Sequence, residues 1–151
     1  MALQYKFIER PTDAEACIKL MESTVIPLLS EHWERDGKPF FHRDFYLNLE
    51  GFFNYWMYNG LAMVIAYDEG KPVGILIGLR FVPMNFRASI LQIENLYGKT
   101  PEVEEGLYNY IQSISNILDF DELWVATDTI KRNPTHMRMI GESKIIRYAK
   151  E

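Results

Sequence analysis

Cysteine is almost missing from this chain. Cys17 is the one thiol in 151 residues, so an internal disulfide is excluded. The 3 histidines, His32, His42 and His136, do not group with it at metal-ligand spacing. Cys17 sits in an apolar helical pattern and reads as a small core hydrophobe rather than a nucleophile. No stretch approaches the about 18 uninterrupted apolar residues of a membrane span, and the first residues do not read as a secretory leader. These absences imply a cytoplasmic protein with no membrane partner and no metal. Positive charge is short as well: 16 Lys and Arg stand against 21 Asp and Glu, a net charge of -5. That argues against nucleic-acid binding over the whole surface, which needs a basic footprint. A phosphate-binding P-loop is missing too, because Gly98-Lys99-Thr100 lacks the upstream glycine at the required spacing.

What is present is apolar and aromatic. Hydrophobic residues make up 48% of the chain and aromatic ones 14%, enough for one domain, 1–151, with a sizeable core. Alternation predicts a strand over 4–9, stopped by Pro11, with Thr12 or Asp13 capping a helix. Ala16, Cys17, Leu20, Met21, Thr24 and Leu28 recur at helical spacing, and Pro27 should kink or divide that helix. The polar stretch 31–43, with Gly37 and Pro39, reads as a loop. A helix over 44–58 follows, then strands over 61–67 and 72–82 joined by an Asp68-Glu69-Gly70-Lys71 hairpin turn. Gly74 and Gly78 share one face of the second strand, where something bulky must approach. The rings of Phe52, Phe53, Tyr55, Trp56 and Tyr58 exceed what one core face holds. Such a surplus suits a protein interface, a homodimer included.

The stretch 87–120 carries the most chemistry. An extended run over 88–96 meets a short turn, and a helix opens with Thr100 as N-cap and Pro101 as its first residue. Unpaired N–H groups and the helix dipole at such a mouth can seat a phosphate. Pro101 removes one donor, and Glu102, Glu104 and Glu105 add negative charge. Strand alternation puts Gln92, Glu94 and Leu96 on one face, with Ile93 and Asn95 on the other. Glu94 among apolar neighbours is a candidate general base; a surface or salt-bridged glutamate is the plainer alternative. A strand over 121–127, a helix over 134–141 and a strand over 144–149 complete the chain. Lys131, Arg132, Arg138, Lys144, Arg147 and Lys150 make this end basic, either as a solvated face or as a seat for an anionic partner. The whole is an α+β layout with one crossover through the helix at Pro101.

Together with this layout, the stretch from Met63 to Gly78, with its Asp-Glu-Gly turn and Val73-Gly74, resembles strands of the GCN5-related N-acetyltransferase (GNAT) family. So does Leu123-Trp-Val-Ala-Thr-Asp followed by Asn133-Pro-Thr-His-Met-Arg-Met-Ile. In its short, divergent style the chain is reminiscent of bacteriophage-encoded members. The resemblance implies a mixed sheet flanked by helices and an acyl-CoA-dependent N-acyltransferase, moving acetyl from acetyl-CoA to a small-molecule or protein amine. A catalytically inactive GNAT-like binding or structural protein is the alternative. Ile93, Glu94, Asn95 and Leu96 would face the pantetheine arm, and Gly98, Lys99 and Thr100 the phosphates. Asn133 would also contact the cofactor, and Glu94 would be the base. A backbone N–H near Asn95 or Leu96 would hold the oxyanion. The family often places a tyrosine seven residues beyond that asparagine; this chain has Ile140 there, leaving Tyr148 to protonate the thiolate from another element. His32 and His42 fall in the segment that lines the family's acceptor pocket.

Overall fold

The structure is a computed structural model that describes residues 2–58, 60–125, 137 and 150. Strands β1 (Leu3–Phe7), β2 (Leu61–Asp68), β3 (Lys71–Phe81), β4 (Ile90–Gly98) and β5 (Glu122–Trp124) form one sheet in the order β1-β2-β3-β4-β5. The first three pairings are antiparallel, and β4 runs parallel to β5. A two-residue turn joins β2 to β3, with Glu69 and Gly70 both at positive φ, 50° and 82°, as a tight hairpin requires.

One face of the sheet is covered by α1 (Ala14–Leu20), α2 (Ile26–His32) and α4 (Leu49–Met57), while α3 (Lys38–Phe41) continues the path of α2 with all four residues exposed. Its core holds Met21, Val25, Leu28 and Trp56 against Met63, Ile65, Ile75, Ile77 and Tyr97. The other face is covered by α5 (Pro101–Ser113), followed by the single turn α6 (Ser115–Leu118). There Val103, Leu107 and Ile111 pack on Val64, Leu76, Leu91, Ile93 and Leu96. Gly74 is where α5 comes closest: a Cβ on it would lie 2.5 Å from Val103 Cγ1 and 2.8 Å from the Tyr97 carbonyl oxygen. This is the bulky approach expected at Gly74. Gly106 inside α5 has a matching cause, since the Tyr5 ring fills the space a side chain would take.

The structure departs from the sequence reading in three places. The stretch 31–43 is helical through Phe41 rather than a loop. Two wide π-helical turns, Met21–Val25 and Trp33–Gly37, each lead into a segment with proline in its first turn. A proline ring clashes with the carbonyl four residues back, and a locally widened turn relieves that clash. Pro27 and Pro39 therefore ride within a continuous helical path. The helix expected over 44–58 starts later, at Leu49, where the Asn48 side chain accepts from Gly51 N–H at 3.0 Å. The third departure, in β4, bears on the site.

Candidate functional site

The site is built on β4. Ile77 pairs with Asn95 and Gly78 with Ile93, so Glu94 is an extra residue, a β-bulge. The bulge resets the alternation. Leu91, Ile93 and Leu96 all join the core under α5, and Leu96 does not share a face with Gln92 as simple alternation had it. Glu94 is exposed, Asn95 half-buried and Leu96 buried.

β5 pairs with β4 only at Ile90, Leu91 and Gln92 among the described residues, while β4 runs on to Gly98. Past the bulge, Lys99 N–H donates to the Val73 carbonyl at 2.9 Å. The antiparallel ladder alternates, so the backbone groups of Gly98 and Leu96 turn away from β3, toward the β5 side. Of the two oxyanion donors the sequence offered, Leu96 therefore has its N–H on the open side, and Asn95 faces β3.

This edge ends at the mouth of α5. Thr100, with extended backbone, caps the helix by accepting from Val103 N–H at 3.4 Å. Glu104 reaches back further than a capping box does: its Oε1 accepts from Gly98 N–H at 3.3 Å. The same oxygen accepts from Arg35 Nη2. Arg35 Nη1 donates to the Gly98 carbonyl at 3.0 Å. Both outward backbone groups of Gly98 are thus engaged by side chains. The guanidinium is held from behind by Asp36, with Nε 3.0 Å from both carboxylate oxygens and Nη2 2.7 Å from Oδ2. It lies 4.7 Å from the centre of the Tyr97 ring. Hydrogen bonding to Asp36, and then to Glu104, raises the Arg35 pKa further.

Tyr97 links this cluster to α2. Its hydroxyl donates to Glu31 Oε2 at 2.9 Å, and Lys99 Nζ lies 3.8 Å from Glu31 Oε1. Burial, and then the bond to Glu31, push the Tyr97 hydroxyl up to about 12. His32 lies beside the Tyr97 ring, centroids 5.7 Å apart, with Nε2 3.8 Å from Asp36. Its Nδ1 is buried without a hydrogen-bond partner among the described residues. Burial lowers the His32 pKa below its ordinary 6.5, opposed by Asp36.

The structure brings Ile93, Glu94, Asn95, Leu96, Gly98, Lys99 and Thr100 onto one continuous path from the bulge to the helix mouth. His42 caps α3 with left-handed backbone, φ 57°, and is exposed. Asn133, His136, Ile140, Tyr148 and the basic residues from Lys131 to Arg147 lie outside the described residues. Arg35, Asp36 and Glu31 were not foreseen. Arg35 meets its partners across 63 and 69 residues of sequence, a separation that leaves no local signal. Among the described residues no group of three or more His, Cys, Asp or Glu is placed to hold a metal ion, and no helix is long and apolar enough to cross a membrane.

No protein-family model matches the chain, and no curated protein matches its sequence. Solved structures do. An aminoglycoside acetyltransferase from an uncultured soil metagenomic sample, crystallised with sisomicin, superposes with a TM-score of 0.66. It is 15% identical, over 99% of this chain and 95% of that one. A ribosomal-protein-alanine N-acetyltransferase from Brucella melitensis biovar Abortus 2308 follows at 0.62 and 11% identity, over 98% and 100%. The chain has the GNAT fold. A third neighbour, a predicted acetyltransferase from Clostridium acetobutylicum, was crystallised with acetyl-CoA; its TM-score is 0.54 at 12% identity, over 83% and 80%. In this GNAT fold the Arg35–Glu104 contact spans the end of β4, joining the helical layers on its two faces.

Proposed function

We propose that this chain binds acetyl-CoA and transfers its acetyl group to an amine. The observation that carries the reading is the path from the Glu94 bulge, along an edge of β4 that β5 leaves open among the described residues, to the mouth of α5. An extended amide-bearing arm can pair with such an edge as a strand would. Leu96 offers that arm its outward backbone groups, and Ile93 and Asn95 flank it, Asn95 through its half-buried side chain. Gly98, Lys99 and Thr100 take the phosphates, with Lys99 as the positive side chain. Asn133 belongs to the same binding set.

In the reaction the amine nitrogen attacks the thioester carbonyl carbon. The C–N bond forms, negative charge collects on the carbonyl oxygen, and the C–S bond then breaks. Leu96 N–H, on the open side, is the donor this reading gives to that oxygen. Glu94, exposed at the bulge, takes the proton the amine loses. Tyr148 supplies the proton that the leaving thiolate accepts. The acceptor is a small-molecule or protein amine; one neighbour is named for an aminoglycoside and another for a ribosomal-protein alanine, which is in keeping with either class. A cytoplasmic place of work belongs to the same reading, consistent with the free thiol of Cys17.

A second reading has its own support. Glu104 and Arg35 already engage both outward groups of Gly98, where a phosphate would be received. A protein that has given up catalysis and kept the fold for binding is consistent with that closure. Calorimetric titration with acetyl-CoA separates the two. Saturable binding, together with a rise in melting temperature that follows ligand concentration, supports the transferase. Heat-silent titration and an unmoved melting temperature at millimolar acetyl-CoA would leave the non-catalytic reading.

A further inference from the structure

The Glu104 carboxylate sits where an anionic ligand oxygen would sit. It takes a backbone N–H on the open edge of β4, from Gly98, and a guanidinium N–H from Arg35. Backbone amide plus guanidinium is a donor pair suited to a phosphate oxygen. The guanidinium does not depend on Glu104 for its position. Asp36 holds its Nε edge, the Gly98 carbonyl holds Nη1, and the Tyr97 ring lies beneath it. Glu104 is a first-turn residue of α5, and the bonds of its carboxylate run to Arg35 and Gly98, so this side chain can leave without disturbing what holds the guanidinium.

We infer that Glu104 is a built-in competitor for the phosphate seat, and that Arg35 becomes the ligand's cation when Glu104 swings out. The inference rests on the acetyl-CoA reading and adds to it a latch and a specificity-determining arginine from the far side of the sheet. Opening the latch exchanges one anion for another on the same two donors. The positive charge of Arg35 is therefore never left bare, and the cost of admitting a phosphate is the release of one carboxylate into water. Lys99, paired at 3.8 Å with Glu31, adds a second positive charge beside the seat. Asp36 and Glu31, the counter-ions of Arg35 and Lys99, temper this charge, so the seat stays weak for an anion until Glu104 leaves it.

The test is calorimetric titration of wild type, Glu104→Ala and Glu104→Gln with acetyl-CoA and, separately, with inorganic pyrophosphate. Thermal unfolding of each variant checks that it folds. Glu104→Ala should bind acetyl-CoA about tenfold tighter than wild type, with Glu104→Gln between them. Adding Arg35→Met to Glu104→Ala should cancel the gain, because the vacated donor pair has lost its cation. If Glu104→Ala binds acetyl-CoA no tighter than wild type, the latch is wrong and the acetyl-CoA reading stands. If none of the proteins binds acetyl-CoA, that reading fails, and pyrophosphate decides the rest. Tighter pyrophosphate binding by Glu104→Ala upholds an anion seat guarded by Glu104; equal or absent binding overturns it.

Discussion

The two halves of β4 solve the same problem in different ways. The first half, at Ile90 and Leu91, has β3 on one side and β5 on the other, and both side chains are fully buried. Its backbone is closed by other backbone. The second half, from Leu96 to Gly98, has β3 on one side only among the described residues. At Gly98 its open groups are met by the ends of two long side chains, Arg35 and Glu104, each partly exposed. Strand pairing is cooperative and hard to displace. Side chains that are partly in water gain and lose such contacts at little net cost. One strand therefore carries a permanent wall and an exchangeable one, and the bulge at Glu94 lies between them.

That comparison can be broken by substitution. Leu91→Ala should have the largest effect, about 2–5 kcal/mol of stability lost in urea unfolding, because a fully buried side chain leaves a cavity under α5. A loss below about 1 kcal/mol would erase the contrast with Glu104→Ala, which removes only a half-exposed pair. Glu94→Gln should leave stability and acetyl-CoA affinity unchanged while slowing turnover about 100-fold, equivalent to about 2.7 kcal/mol of barrier. Steady-state kinetics at saturating acetyl-CoA check this, and an unchanged kcat would remove Glu94 as base. Gly98→Ala should cost about 1–3 kcal/mol, since its Cβ would lie 2.7 Å from the Glu104 backbone nitrogen. The same variant should weaken acetyl-CoA binding. A fully stable Gly98→Ala that binds normally would deny the close approach of α5.

The smallest effect concerns pH. Burial holds His32 below its ordinary 6.5, so the unfolded chain takes up a proton before the folded one does. Stability should be full above about pH 6.5 and fall as pH drops through the window down to the folded value. His32→Gln should flatten that slope in urea unfolding followed against pH. An identical slope in the variant would assign the pH dependence to other groups.

Much of this fold could be read from residue order. The β2–β3 hairpin followed from alternation around Glu69-Gly70, and α5 from Thr100-Pro101 and its apolar stripe. The helical path through Pro39 could not be read, because local rules take proline as a stop and the π-helical turns that accommodate it have no sequence mark. Nor could the bulge, since parity along β4 is set by how β3 pairs with it. Around the site, the order of strand, turn and helix from Ile93 to Thr100 was legible. Arg35 was not, for it comes from a stretch that looked like a loop and acts across the sheet.

Residue-resolved hydrogen exchange by NMR, with and without acetyl-CoA, tests the two-walled strand most directly. Without ligand, the amides of Ile90 and Leu91 should exchange slowly and that of Leu96 faster; acetyl-CoA should slow Leu96 and Gly98 and leave the first half unchanged. Equal protection along the whole strand in the free protein, unmoved by acetyl-CoA, would contradict the account.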